Sequence, residues 1–100
     1  MEKYKVRIYA AAKRDLIDII DYLNTLSPQA ALNQYNHIVD KIGSLEEMPE
    51  RCSLLKDDQL RIKGYRMLVV DNYLVFFTIL NRTVQIRRIL YGRRSYEWLL

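Results

Sequence analysis

Two amphipathic stretches joined by only Ser27-Pro28 constrain the fold of this chain more than any other feature. Between residues 11 and 25 the apolar side chains recur at the 3.6-residue spacing of a helix, and a second stretch with the same period covers residues 28–47. Ser27 suits the N-cap of the second helix and Pro28 its first helical position. Because the link is so short, the two helices are predicted to fold back on each other as a hairpin.

The C-terminal part of the chain is predicted to be β-structure from Arg61 onward. Two tight turns, at Asp71-Asn72 and Asn81-Arg82, separate three runs with strand character. The predicted strands are GYRMLVV (64–70), YLVFFTIL (73–80) and TVQIRRILY (83–91). In the last of these, the residues expected to share one face are Val84, Ile86, Arg88 and Leu90.

The order of elements indicates an α+β fold, β-α-α-β-β-β, in one domain over residues 1–100. A short alternating strand covers residues 4–8, the stretch 50–59 is predicted to be a loop, and residues 93–100 a short terminal helix or tail. The helical hairpin is expected to pack on one face of a mainly antiparallel sheet. The other face is then at least partly open, with Arg66 and one of Arg87 or Arg88 able to point into it.

The charge of the chain is divided unevenly between its two parts. Residues 1–60 carry 8 Lys/Arg and 10 Asp/Glu, whereas residues 61–100 carry 8 Lys/Arg and 2 Asp/Glu, so the second part is strongly basic. All but one of its basic residues are arginines, whose planar fork suits phosphates and carboxylates. This block suggests an anionic partner, either nucleic acid or an acidic protein segment. Surplus surface arginines that only aid solubility are the alternative.

Several classes of site are disfavoured by the composition. Cys52 is the only cysteine and His37 the only histidine, so neither a disulfide nor a metal site is expected, and no cofactor is predicted. No uncharged segment is long enough for a signal peptide or membrane span, which predicts a soluble, cytoplasmic protein without membrane contact. Asp15, Asp18 and Asp21 are interpreted as a solvated helix face.

The remaining candidate site is a group of basic and tyrosine side chains in the C-terminal part. On a sheet surface such residues can grip phosphates and stack on bases, or stabilise a phosphoryl transition state. No residue is an obvious general base, so binding is favoured over catalysis. The group comprises Arg61, Lys63, Arg66, Arg87 or Arg88, Arg93 and Arg94, with Tyr65, Tyr91 and Tyr96.

Four segments in order resemble the RelE/ParE superfamily, the toxins of bacterial type II toxin–antitoxin (plasmid stabilization) modules. They are AAKRDLIDIIDYL, the spaced pattern A…Y…I…I..L…P, LRIKGYRMLVVDNYLVFFTI and VQIRRILYGRR, and they cover nearly the whole chain. The long hairpin and the RILYGRR motif are more similar to the ParE branch, in which RILHxRR is frequent. Tyr91 stands where that branch often has histidine.

The resemblance implies a growth-inhibiting toxin neutralised by a small acidic antitoxin. ParE toxins poison DNA gyrase without cutting nucleic acid, whereas RelE toxins cut mRNA in the ribosomal A site. Arg66 and Arg94 match two RelE arginines. Near the positions where RelE toxins have lysines, this chain has Asp57 and Gln59, and near the position of their terminal tyrosine it has Leu100. These departures favour gyrase as the target. A ribosome-dependent mRNA endonuclease is the alternative, and whether the chain is an enzyme stays open.

The residues assigned by this reading fall into three sets. The catalytic candidates, if the chain is a nuclease, are Arg61, Arg66, Arg88, Tyr91 and Arg94. The target-binding set is Arg61, Lys63, Arg66, Arg88, Arg93, Arg94, Tyr96 and Trp98. The antitoxin-binding set is Leu16, Ile20, Leu23, Tyr35, Arg66 and Arg87. A dimer or a heterotetramer with the antitoxin is compatible with the resemblance.

Overall fold

The helical hairpin forms as its capping residues predict. In the computed structural model, which describes residues 3–92 and 99–100, α1 spans Ala10–Leu26 and α2 spans Pro28–Gly43. The Ser27 hydroxyl oxygen accepts a hydrogen bond from the amide of Ala30 at 3.2 Å, and Pro28 begins the helix. The second helix is shorter than predicted, because the chain tightens into a 3-10 turn over Ser44–Glu46.

The described residues contain four strands, Lys5–Ile8 (β1), Arg66–Val70 (β2), Tyr73–Leu80 (β3) and Thr83–Tyr91 (β4). They form one sheet with the order β1-β4-β3-β2. Strands β2, β3 and β4 are an antiparallel meander, and β1 pairs in parallel with β4 after the crossover through the hairpin. The central strand β3 is buried on both faces along most of its length, as its apolar sequence predicted. The α+β class and the hairpin-on-sheet arrangement are therefore confirmed.

A β-bulge in β4 overturns the predicted alternation of its side chains. Ile86 pairs with Phe77 and Arg88 with Phe76, which leaves Arg87 as the extra residue. One inserted residue reverses which face each later side chain occupies. The expectation that Val84, Ile86, Arg88 and Leu90 share a face is therefore wrong. The β4 residues in the core beneath the hairpin are Val84, Ile86 and Ile89.

Two apolar cores lie on opposite faces of the sheet. The larger one packs Ala12 and Leu16 of α1 and Ile38 and Ile42 of α2 onto the sheet. The smaller one lies on the other face, where residues from the segment before β2 cover part of the sheet together with the C-terminal leucines. Its buried members are Leu55, Leu60, Tyr65, Leu74, Phe76 and Leu90. The second face is thus open only in part.

A short helix, α3, spans Asp58–Ile62 where a loop and the start of β-structure were predicted. Asp57 caps it by accepting a hydrogen bond from the amide of Leu60 at 3.0 Å, and the Leu60 side chain is buried in the smaller core. The helix has only five residues, too few to show a helical period in the sequence. Arg61 therefore lies on a helix and not on a strand.

Candidate target-binding and antitoxin-binding surfaces

Arg87 is held on the open part of the sheet by neutral acceptors. Its Nε donates to the Thr78 hydroxyl at 3.2 Å and its Nη2 to the Gln85 side-chain oxygen at 3.3 Å. The Gln85 amide donates in turn to the Tyr9 hydroxyl at 2.6 Å, and the Arg87 guanidinium lies 4.8 Å from the centre of the Tyr9 ring. No carboxylate in the described part of the chain pairs with Arg87, so its charge is fixed in position but not neutralised.

The surroundings of Arg87 form a shallow cavity of about 380 Å³. Lys63 and Tyr65 line it beside Arg87, Thr78 and Gln85, and no acidic side chain lines it among residues 3–92 and 99–100. These five residues together with Tyr9 are called the Arg87 face. A fixed guanidinium beside an ammonium suits an anion such as a carboxylate or a phosphate.

Arg66 does not point into the open face, contrary to the prediction. Its Nη1 donates to the carbonyl oxygens of Cys52 at 2.6 Å and Glu50 at 3.1 Å. Arg66 pairs across the ladder with Phe77, whose ring lies in the core beneath the hairpin. Its side chain is therefore on the opposite face of the sheet from Arg87, where it fastens the loop that precedes α3.

Arg88 forms an ion pair with Asp15 of α1 at the bulge. Its Nε donates to Asp15 Oδ2 at 2.7 Å and its Nη2 to Oδ1 at 2.9 Å, while Oδ2 also accepts from the Ile89 amide at 3.0 Å. The side chains of Arg88 and Asp15 are only 24% and 14% exposed. The hydrogen bond to Asp15 raises the pKa of Arg88. Asp15 is thus a structural partner of β4, and its interpretation as part of a solvated face is wrong.

Arg61 and Tyr91 make contacts of their own elsewhere. Arg61 pairs with Asp58 at 2.7 Å on α3, and Tyr91 packs its ring against Tyr73 at a centroid distance of 5.4 Å. The described catalytic candidates, Arg61, Arg66, Arg88 and Tyr91, therefore share no hydrogen-bond partner in the described residues. The assigned residues Arg93, Arg94, Tyr96 and Trp98 lie outside the part of the chain that the structure describes.

The resolved pKa shifts move groups away from neutral pH. Burial raises the pKa of the Cys52 thiol and of the Tyr73 hydroxyl. Side-chain hydrogen bonds lower the pKa of Glu50 and Asp71. A general acid or base at neutral pH needs a pKa near 7, so none of these groups is tuned for proton transfer there. The described residues also contain no cluster of three or more histidine, cysteine or acidic side chains able to hold a metal ion.

A second surface, the hairpin groove, lies along the outside of the two long helices. It has a volume of about 430 Å³ and is mainly apolar, with Ile17 and Tyr35 exposed along it. Three of the residues assigned to the antitoxin, Leu16, Ile20 and Tyr35, line this groove, whereas Leu23 lines a neighbouring one. The groove is wide enough to accept apolar side chains from a partner helix or strand.

Comparison with known families places these surfaces in context. The profile of the ParE toxins of type II toxin–antitoxin systems, parDE, matches residues 6–96. The chain belongs to the ParE toxin family. A comparison with curated protein sequences gives no match. Within the described residues of this ParE-family toxin, no helix is both long and apolar enough to cross a membrane.

Solved structures of toxin–antitoxin systems share the fold. One, of the chromosomal ParDE system from P. aeruginosa, has a TM-score of 0.77 at 21% identity and covers 91% of this chain and 98% of its own. Another, of the RelBE2 toxin–antitoxin complex from Mycobacterium tuberculosis, has a TM-score of 0.61 at 24% identity and covers 89% and 98%. The chain therefore shares the hairpin-on-sheet fold of these two toxin–antitoxin structures.

Proposed function

We propose that this ParE-family toxin inhibits growth by poisoning DNA gyrase in the cytoplasm, and that it does so by binding and not by cutting RNA. The proposal rests on one observation, that each described arginine among the catalytic candidates binds a different partner within the chain. Arg66 and Arg88 are bound to backbone and carboxylate oxygens of their own chain. Arg61 pairs within α3. Groups held in this way have no common point at which to stabilise a reacting phosphate.

The Arg87 face is the part of the sheet that meets the target in this proposal. Arg87 is oriented by Thr78 and Gln85, and its positive charge is not neutralised by any carboxylate of the described residues. A pre-oriented cation binds an anion without the cost of ordering a long side chain. Lys63 lines the same cavity and adds a second charge.

A small acidic antitoxin neutralises the toxin by covering both surfaces. An apolar segment of the antitoxin lies in the hairpin groove, and its carboxylates pair with Arg87 and Lys63. This arrangement is supported by the apolar lining of the groove and by the absence of acidic side chains from the Arg87 face within the described residues. The structural neighbours include toxin–antitoxin complexes, which agrees with such a partner.

A supercoiling assay with purified gyrase tests the proposal. The toxin is expected to inhibit supercoiling and to trap cleaved DNA, and Arg87→Gln is expected to be at least about tenfold less potent, since a charge-assisted hydrogen bond contributes about 1.5–3 kcal/mol. Arg14→Gln is the matched control, because it removes the same charge from an exposed position on α1. Unimpaired supercoiling at toxin excess contradicts the proposal.

A ribosome-dependent mRNA endonuclease is the second candidate function. It is favoured by one observation, the fixed guanidinium of Arg87 beside Lys63 and Tyr65, because such a site also suits an RNA phosphate. Primer extension on mRNA from cells that express the toxin tests this alternative. If new mRNA ends appear with the unmodified toxin and are missing with Arg87→Gln, RNA cleavage and not gyrase poisoning is the function.

A further inference from the structure

Three tyrosines line a groove that the proposed function does not use. It lies between the C-terminal half of α1, α2, the turn between β2 and β3, and the end of β4, with a volume of about 670 Å³. It is called the tyrosine pocket. Its lining residues are Asp18, Ile19, Tyr22, Leu23, Leu26, Gln34, Asn72, Tyr73 and Tyr91.

The rings of the pocket present aromatic surface to solvent. Tyr73 is buried and forms the base, and its ring is tilted by 60° against that of Tyr91 at a centroid distance of 5.4 Å. Tyr22 and Tyr91 are 64% and 57% exposed. An aromatic face carries partial negative charge, so the exposed rings of Tyr22 and Tyr91 attract cations.

Asp18 gives the pocket a full negative charge. It is the only charged residue that lines the pocket among the described residues, and within them it has no hydrogen-bond or ion-pair partner. The chain as a whole has a net charge of +4. An unpaired carboxylate beside three aromatic rings therefore makes a local cation-attracting site on a basic protein.

The walls of the pocket are fixed by hydrogen bonds within the chain. Asp71 accepts from the Gln34 amide at 3.1 Å and is 2.7 Å from the His37 ring nitrogen, which ties the turn after β2 to α2. The Asn72 carbonyl oxygen accepts from the amide of Gly92 at 2.8 Å and closes the same end of the sheet. The side of the pocket formed by this turn and the end of β4 is therefore held in place before a ligand binds.

We propose that the tyrosine pocket binds an arginine side chain presented by a protein partner. The planar guanidinium stacks on the rings of Tyr22 and Tyr91 and pairs with both oxygens of Asp18. Arginine fits this lining better than lysine does, because only a guanidinium combines stacking with a bidentate ion pair. Leu23 and Leu26 line the same pocket and contact the aliphatic stem or an apolar neighbour of that arginine.

Titration of the full chain with N-acetyl-arginine amide tests this proposal, with the tyrosine ring signals followed by NMR. The neutral isostere N-acetyl-citrulline amide has nearly the same shape and serves as the ligand control. We expect saturable shifts of the Tyr22, Tyr73 and Tyr91 signals with the arginine compound. The citrulline compound is expected to bind about threefold more weakly than the arginine compound, because it lacks the charge that makes an exposed cation–π contact.

Two carboxylate variants sharpen the test. Asp18→Asn is expected to weaken arginine binding by about two- to fivefold, the loss of an exposed ion pair. Asp21→Asn, three residues further along α1, removes the same charge from the lining of the hairpin groove and is expected to leave the affinity unchanged. Equal affinity for citrulline, or an unchanged affinity in Asp18→Asn, overturns the proposal. Neither gyrase nor antitoxin enters the experiment, so its failure leaves the proposed function intact.

Discussion

Replacing Asp15 by alanine removes the carboxylate that joins α1 to the bulge in β4. Both oxygens of that carboxylate bind the Arg88 guanidinium, at 2.7 and 2.9 Å, and one also accepts from the Ile89 amide at 3.0 Å. The variant leaves the Ile89 amide without its acceptor and Arg88 without its carboxylate, with only the Leu99 carbonyl oxygen still accepting from Arg88 Nη1 at 3.2 Å. We expect this substitution to be among the most destabilising ones at a charged residue of this chain.

The magnitude follows from two losses. An orphaned, partly buried amide such as that of Ile89 costs roughly 1–3 kcal/mol. Breaking a fully buried ion pair costs about 3–5 kcal/mol, but the 24% and 14% exposure of Arg88 and Asp15 lets water screen the remaining charge, which lowers this loss to roughly 1–2 kcal/mol. The free energy of unfolding should therefore fall by about 2–5 kcal/mol, and Tm by about 8–40 °C for a chain of this size.

Urea unfolding at neutral pH, followed by circular dichroism, measures this change in the free energy of unfolding. Asp21→Ala is the control, since Asp21 lies on the same helix but is exposed and is expected to change stability by less than about 0.5 kcal/mol. Asp15→Asn keeps one acceptor for the Ile89 amide and should fall between the two. A loss below about 1 kcal/mol in Asp15→Ala would show that this pair does not anchor the bulge.

Three further predictions concern other parts of the chain. Hydrogen bonds from Gln34 and His37 lower the pKa of Asp71, so the stability that its carboxylate contributes is present above the ordinary carboxyl pKa and is lost as the pH falls through the lowered pKa. Acid unfolding of Asp71→Asn should therefore depend less strongly on pH than that of the unmodified chain. Identical unfolding curves for the two proteins would contradict this. Burial raises the pKa of Cys52, so a thiol reagent at neutral pH should label the native chain at least about tenfold more slowly than the unfolded chain; equal rates would show that the thiol is accessible. Phe77→Ala should lower the free energy of unfolding by about 3–5 kcal/mol in urea unfolding, because its ring is fully buried; a loss below about 1 kcal/mol would contradict its place in the core.

The hairpin and the central strand were predictable because their signals are local. Ser27 and Pro28 mark a helix start by their own chemistry, and the apolar run of β3 indicates burial on both faces whatever its neighbours are. The parallel pairing of β1 with β4 was not predicted, since it depends on where the hairpin returns the chain to the sheet.

The candidate site was less predictable because its geometry depends on one inserted residue. The alternation of β4 does not by itself locate the bulge at Arg87. The bulge nevertheless decides which arginine lies on the open face of the sheet and which contacts α1. The ion pair of Asp15 with Arg88 was not predicted either, because the two residues lie 73 positions apart in the sequence. The signal available in the sequence was the run Arg87-Arg88, where strict alternation would place two charges on opposite faces of a buried sheet.

We propose that this toxin stops growth through gyrase and not through RNA cleavage. The most direct measurement is made on cells arrested by expression of the toxin without an antitoxin, in which protein-linked DNA breaks and new mRNA ends are quantified from the same culture. We expect gyrase-linked DNA breaks that fall in Arg87→Gln and persist in Arg14→Gln, with no new mRNA ends. New mRNA ends in arrested cells with intact DNA would contradict it.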